Sequence, residues 1–376
     1  MNGYSGIIFS IISFIAVIGP LVFVHELGHY AVARFFGVRA DVFSIGFGPE
    51  IFGWTDRLGT RWRIAYLPFG GYVRFAGDMD PASSGQPSNE WLSLPPEERA
   101  RTFQAKKVWH RFLIVLAGPL TNIFVAILLF AALFSMHGVV RSPATISSIL
   151  PQSSAAIAGL KAGDKITAID SYKVKYFNDL QPVVQMHPDQ DVKISLIRDG
   201  RLMTVTAHLK SEHFTDRFGN KSRIGLLGIL GDAPVIVHPP LTEIPLIATS
   251  AVGTMLHEQI DGIGQIITGR RSMDELGGPI RIAKMSGQVT ELGLLPFILF
   301  MAAISVNLGF INLLPVPMLD GGHLFFYAVE IIIRRPLTPV IQIWAFRFGL
   351  FLLLSLMLFS TLNDLGLFVW LKPLLS

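Results

Sequence analysis

His25 and His29 stand four residues apart in the stretch Leu21-Val22-Phe23-Val24-His25-Glu26-Leu27-Gly28-His29-Tyr30. On a helix that spacing puts both imidazoles on one face, roughly 6 Å apart along the axis. Two imidazoles so placed can grip one zinc ion, and Glu26 beside them is positioned to act as a general base. The residues before them, Ile7 to Val24, carry no charge. The motif therefore sits at the end of a membrane-grade helix, where ionisable groups are costly and functional by default. Catalytic zinc takes three protein ligands and a water, so two histidines leave one ligand to find. Asp320 is the best third ligand. It ends an uncharged stretch, follows the helix-breaking Pro315 and Pro317, and is flanked by Gly321-Gly322, which permit close backbone approach. His323, three residues further along a newly started helix, and Glu330, deeper in the following loop, are the alternatives.

The elements that must position these groups follow from composition. The chain has 376 residues, of which 51% are hydrophobic and only 15% charged, and its mean hydropathy is positive. Several membrane spans are the simplest explanation. A net charge of +4, scattered along the chain, leaves no nucleic-acid footprint. With no cysteine, disulfides, thiol catalysis and cysteine-ligated metals are excluded. The N-terminal apolar run has no basic region before it and no small-residue cleavage site, so it reads as a retained span.

We expect a multi-pass α-helical membrane protein of about four transmembrane helices, with a membrane-associated β-hairpin and one inserted β-rich domain. The first span, with the metal motif, occupies residues 1–36, and Gly19-Pro20 should bend it before the histidines. Residues 37–107 are mixed. Asp41 to Pro49 and Arg61 to Leu67 read as short strands, against the first span or as a surface hairpin, and Asp78 to Arg101 as a polar, mobile loop. The second span falls within 108–137, uncharged from Phe112 to Ser135, with Gly118-Pro119 and Asn122 near its entry. A buried Asn in a span commonly bonds a neighbouring helix. Residues 141–212 read as a small β-rich domain, with apolar runs at 144–150, 165–169, 192–197 and 202–209 and a short helix over 155–160. Residues 213–290 hold a linker and a helix over Glu243 to Gly269. His257, Glu258, Gln259 and Asp261 interrupt it, so it lies along the membrane surface or, alternatively, spans. The third span, 291–323, must unwind at Pro315-Val316-Pro317, which is tolerated at membrane depth only within protein or beside water. The fourth lies within 345–370. Basic residues concentrate from Arg34 to Arg111 and at Arg334, Arg335 and Arg347. Both loops are then cytoplasmic, the β-rich domain faces the other side, and the histidine motif and Asp320 fall toward the cytoplasmic ends of their helices.

Together, His25-Glu26-Leu27-Gly28-His29 and Asn312-Leu313-Leu314-Pro315-Val316-Pro317-Met318-Leu319-Asp320-Gly321-Gly322 resemble the site-2 protease family of M50-type intramembrane zinc metalloproteases. The resemblance is to the bacterial regulator-of-sigma-E type. Phe43 to Pro49, Pro68 to Val73, Ala117 to Asn122 and Ser305 to Leu308 support it, and Gly159 to Ile166 is similar to the family's PDZ domain. The resemblance implies a zinc metalloendopeptidase of the bacterial inner membrane that cleaves transmembrane segments. The usual substrate is a single-pass anti-sigma factor already trimmed by another protease, in envelope stress signalling. It implies zinc held by His25, His29 and Asp320, with Glu26 catalytic. It also implies a membrane-reentrant hairpin over Arg61 to Phe75, with Gly70, Gly71 and Tyr72 meeting the substrate together with Asn312 and Asn307. The partners implied are the lipid bilayer and the substrate, with no nucleic acid and no required oligomer. The PDZ domain would be periplasmic and the zinc site toward the cytoplasm. The best-known members carry two PDZ domains in tandem, whereas 141–212 accommodates one. Two other classes remain to be told apart. An idle PDZ-bearing scaffold has no need of Glu26. A metal transporter would show further intramembrane carboxylates or histidines, and spans two and four offer almost none.

Overall fold

The computed structural model describes residues 3–77, 95–215, 221–268, 278–335 and 337–365. It divides into two compact units, one of Met1–Ala131, Pro245–Ile260 and Ser272–Ser376, the other of Ala132–Ile244 and Asp261–Arg271. Most of the expected loop of 78–101 lies outside the described residues.

The first unit opens with α1, Gly3–Phe35. In a membrane an apolar run must satisfy its own backbone, and a helix does so. The helix runs on through Pro20 without a break. It stops at Gly37, whose positive φ of 69° lets its N–H reach the Arg34 carbonyl while Val38 N–H reaches Ala33 (2.8 Å). That stop turns the chain back alongside α1 as β1, Ala40–Thr55, which pairs with β2, Arg61–Phe75. Both strands are longer than the sequence pattern suggested, and both fold back on themselves. Residues 40–45 pair with 71–75 on one side. On the other, Val42 to Ile45 run beside Arg61 to Ile64, and 47–55 close a hairpin with 61–67. Phe43 fixes this sheet to α1: its ring lies 5.6 Å from Phe23, 5.8 Å from Tyr30 and 4.3 Å from Trp62. A short helix α2, Pro96–Ala100, precedes α3, Val108–His137.

The second unit is the β-rich one. Strands β3, Val139–Arg141, and β4, Ile146–Ile149, lead to a short helix α4, Ser154–Ile157, whose N-terminus Ser153 caps by accepting the Ala156 N–H. Then follow β5, Lys165–Ile169, β6, Tyr172–Lys173, the helix α5, Leu180–Gln185, and the hairpin of β7, Asp191–Arg198, and β8, Arg201–His208. These strands form a sheet in the order β6-β5-β7-β8. Its buried Ile166, Ile169, Ile194 and Leu196 pack with Ile146, Leu160, Leu180 and Leu209 in one core. Asp164, almost wholly enclosed, receives Arg198 at 2.7 and 2.6 Å and the Lys161 N–H. Burial pushes that carboxyl up, and the bonds to Arg198 and Lys161 more than offset it, holding it below the usual carboxylate range.

The unit takes in more chain than 141–212. β9, Lys210–Thr215, pairs with β10, Lys221–Leu226; β11, Ile229–Gly231, pairs with β4; and β12, Val235–Val237, pairs with β3. β11 and β12, three residues each, are too short to show an alternation of their own.

The chain then forms α6, Ile244–Ile267, most of which belongs to the first unit, followed by α7, Pro279–Glu291, α8, Leu294–Leu313, α9, Asp320–Ile333, and α10, Pro339–Asp364. The third span region, 291–323, unwinds over 314–319 as its two prolines require, and a second helix starts at Asp320. The fourth long helix starts at Pro339, ahead of the expected 345, because Pro339 suits a first helical turn. Arg347 does not interrupt it, its guanidinium lying 5.5 Å over the Trp344 ring. Among the described residues, four helices are long and apolar enough to cross a membrane: Gly6–Phe35, Val108–His137, Leu294–Leu313 and Val340–Asp364. α6, with its central His257, Glu258, Gln259 and Asp261, is not one of them. Exposed Ile8, Ile12, Phe124, Leu128, Phe351 and Leu358 give these helices the apolar outer faces of a membrane protein.

Candidate metal centre

Two glycines let α1 and α3 touch. A Cβ on Gly28 would lie 2.6 Å from the Ala117 carbonyl, and one on Gly118 would overlap the His29 ring. This close crossing sets α3 directly behind both histidines. Nδ1 of His29 lies 2.9 Å from the Ile114 carbonyl, and the Asn122 amide lies 3.2 Å from Nδ1 of His25. The His29 bond fixes its proton on Nδ1 and turns the Nε2 lone pair inward.

Asp320 arrives from the other side. The segment 314–319 is folded tightly, with Val316 N–H on the Leu314 carbonyl (2.7 Å), Leu319 N–H on Val316 (3.1 Å) and Met318 held at a φ of 84°. It lies against the first turn of α9, where a Cβ on Gly321 would collide with the Leu313–Leu314 backbone, and one on Gly322 would lie 2.5 Å from the Val316 carbonyl. The glycine pair is thus what brings Asp320 to the front of the helix.

The result is a convergence of acceptors. Nε2 of His25 and Nε2 of His29 are 3.3 Å apart, and Oδ2 of Asp320 lies 3.1 Å from the first and 3.4 Å from the second. That oxygen is buried and accepts no hydrogen bond. Three lone pairs turned on one point repel unless a cation lies among them. A tetrahedral zinc with bonds of about 2.0–2.1 Å has ligand–ligand edges of about 3.3–3.4 Å, close to all three observed distances. Two imidazoles and a carboxylate with no sulfur suit zinc among the common divalent ions. The donor set therefore fits the ion that the spacing implied.

Glu26 stands beside this group without joining it. The backbone of β2 lies beside it: a Cβ on Gly71 would be 3.2 Å from Glu26 Cγ. The four residues open on a cavity of about 440 Å³, walled by Val22, Phe47, Gly70 to Val73, Phe75, Phe103, Val115, Leu308, Asn312, Met318, Leu319, His323, Tyr327 and Phe346. Gly70, Gly71, Tyr72 and Asn312 are thus brought to the cavity, whereas Asn307 is not among its lining residues. Neither alternative ligand joins the metal group. The His323 ring packs toward Phe346 (5.0 Å) and Tyr327 (6.4 Å). Glu330 accepts Arg111 of α3 at 2.9 Å, and the same guanidinium lies 5.0 Å over Tyr327. Sequence reasoning missed the contact of Asn122 with His25. The only signal for it was a polar residue inside an uncharged span.

A family model described as Peptidase family M50 matches residues 13–356. A protein of Agrobacterium fabrum whose name carries the words zinc metalloprotease is 42% identical, over 95% of each chain. A similarly named protein of Rhizobium meliloti is 40% identical over 95% of this chain and 96% of its own. Metalloprotease MmpA of Caulobacter vibrioides is 36% identical over 96% of both. Among solved structures, the PDZ domain of an SdrC-like protein from Listeria monocytogenes aligns with 25% of this chain and 90% of its own. It does so at 22% identity and a TM-score of 0.19.

Proposed function

The chain belongs to peptidase family M50, and from that premise we propose that it is a zinc endopeptidase that cuts transmembrane segments of other membrane proteins. The observation that carries this reading is the convergence of His25, His29 and Asp320 on one point, with Glu26 beside it, the histidines and Glu26 standing on a helix apolar enough to cross a bilayer. When bound, zinc supplies a water acidified toward neutrality and a Lewis acid for the scissile carbonyl. Glu26 takes the attacking water's proton and returns it to the departing amide nitrogen. The close approach of Gly71 sets this base beside the strand that would meet the substrate. A helical substrate hides its amides in its own hydrogen bonds, so it must be unwound before attack. Residues 71–75 have a partner strand on one side only among the described residues. That free edge can take an extended segment by strand addition, with Gly70, Gly71 and Tyr72 along it and Asn312 lining the same cavity.

The substrate we favour is a single-pass anti-sigma factor after a first cleavage, in envelope stress signalling, and the membrane is the bacterial inner membrane. The charge bias of the loops supports a metal site toward the cytoplasm and a β-rich, PDZ-type unit on the periplasmic side.

The test is to purify the protein in detergent, measure bound zinc, and follow cleavage of a model transmembrane segment before chelation, after it, and after zinc is restored. Cleavage should vanish with the metal and return with it. Cleavage indifferent to chelation, or a protein that holds no zinc, would overturn the reading.

A further inference from the structure

Asn122 takes no part in the reaction just described, yet it is completely buried. The packing around it is secured by other atoms. Its backbone carbonyl accepts the Ser305 hydroxyl at 2.8 Å, and Gly309 of α8 fits against the Pro119 carbonyl beside it. The side-chain amide is left to face Nδ1 of His25 at 3.2 Å.

The two ligand imidazoles impose the same requirement on their surroundings. An imidazole that offers Nε2 to a metal carries its proton on Nδ1, and a buried N–H needs an acceptor. His29 has the Ile114 carbonyl. At His25 the Asn122 amide occupies that place, and an amide can present either end. With Nδ2 toward the ring, Nδ1 must accept, the proton moves to Nε2, and His25 cannot ligate. Oδ1 of Asn122 is then also left buried without a partner. With Oδ1 toward the ring both defects disappear: the oxygen gains a donor, and the Nε2 lone pair faces His29 and Asp320. Asparagine is suited to this place because it supplies an acceptor without adding a charge inside a span.

We infer that Asn122 is a positioning residue for the metal, its side-chain carbonyl accepting the Nδ1 proton of His25 and holding that ring in the tautomer that presents Nε2. The inference rests on the metal site argued above, and the experiment separates the two. Zinc affinity of the full chain in detergent is measured by chelator competition, and the visible spectrum of the cobalt-substituted protein is recorded. The set is wild type, His25→Ala, Asn122→Asp, Asn122→Leu and Ser305→Ala. Asn122→Leu keeps the volume but removes the acceptor, and should weaken zinc binding about 10–100-fold and alter the cobalt spectrum. Asn122→Asp keeps an acceptor and should bind zinc on the order of wild type. Ser305→Ala, which loosens only the helix–helix bond, should also bind as wild type does. If Asn122→Leu does not accumulate as folded protein, Asn122→Ala, which only removes the amide, takes its place. Wild-type affinity in the Leu or Ala variant, or equal losses in Asn122→Asp and Asn122→Leu, would overturn the inference. A wild-type chain whose zinc is untouched by His25→Ala would overturn the metal site itself.

Discussion

The Glu26 carboxylate is not one of the three converging ligand atoms, which come from His25, His29 and Asp320, so Glu26→Gln removes a proton acceptor and leaves that group in place. Zinc content should equal that of wild type, while cleavage of a transmembrane substrate falls about 10²–10⁴-fold. A variant that cleaves near the wild-type rate would end the assignment of Glu26 as base. Asp320→Ala should fail in the opposite manner, losing zinc along with activity, because a ligand has gone. Zinc measured at full occupancy in that variant would move the third ligand elsewhere, with His323 next in line. The histidine pair was legible in the sequence because both ligands lie on one helix, where spacing along the chain is spacing in space. Asp320 was legible because prolines and glycines mark where a span must break. The bonds from Asn122 to His25 and from Arg111 to Glu330 join residues 97 and 219 positions apart. No periodicity reports a contact of that kind.

Among the elements, the helices of the spans follow from apolar length, and β5, β7 and β8 from their alternation. The break before Asp320 and the new helix after it follow from Pro315 and Pro317, whereas the folding back of β1 and β2 does not, because it depends on what the backbone packs against. The Gly321-Gly322 pair shows the dependence most directly. In Gly322→Ala the new Cβ would lie 2.5 Å from the Val316 carbonyl and 2.8 Å from Pro317 Cα. Both are backbone atoms of a segment already held by a strained Met318, so the segment or the start of α9 must shift, carrying Asp320 with it. Displacement of a catalytic group by about 1 Å can cost about 10²-fold in rate. Gly322→Ala should therefore lose activity on that order and bind zinc more weakly. Gly19→Ala is the control, since nothing lies within 4 Å of a Cβ there. It should retain wild-type zinc and cleavage and gain slightly in helix propensity. Equal behaviour of the two variants in paired zinc and cleavage assays would show that the glycine pair does not place Asp320.

At the scale of the whole molecule, the β-rich unit is an insert whose two ends meet. Val139 pairs with Val237 and Arg141 with Val235, so entry and exit run as neighbouring antiparallel strands about 5 Å apart. The unit can therefore be excised without pulling on what it joins. Replacing 142–234 by an Asn-Gly turn should close β3 and β12 into a hairpin. A cut ending at 210 would instead leave β11 without β4 and β12 without its approach. On the proposed function, this unit acts on which substrates enter, refusing bulky extracytoplasmic domains and admitting trimmed stubs, a role that its excision tests. The excised protein should keep its zinc and cut a trimmed substrate at the wild-type rate. It should also cut the untrimmed form of that substrate, which the intact protein spares. The measurement is cleavage of one transmembrane substrate, with and without its extracytoplasmic domain, by both proteins, each first shown to hold zinc. If the excised, zinc-loaded protein keeps the same preference for the trimmed form, selection does not reside in this unit. The helix α6, read from the sequence as lying on the membrane surface or, alternatively, spanning it, would then be the element to alter.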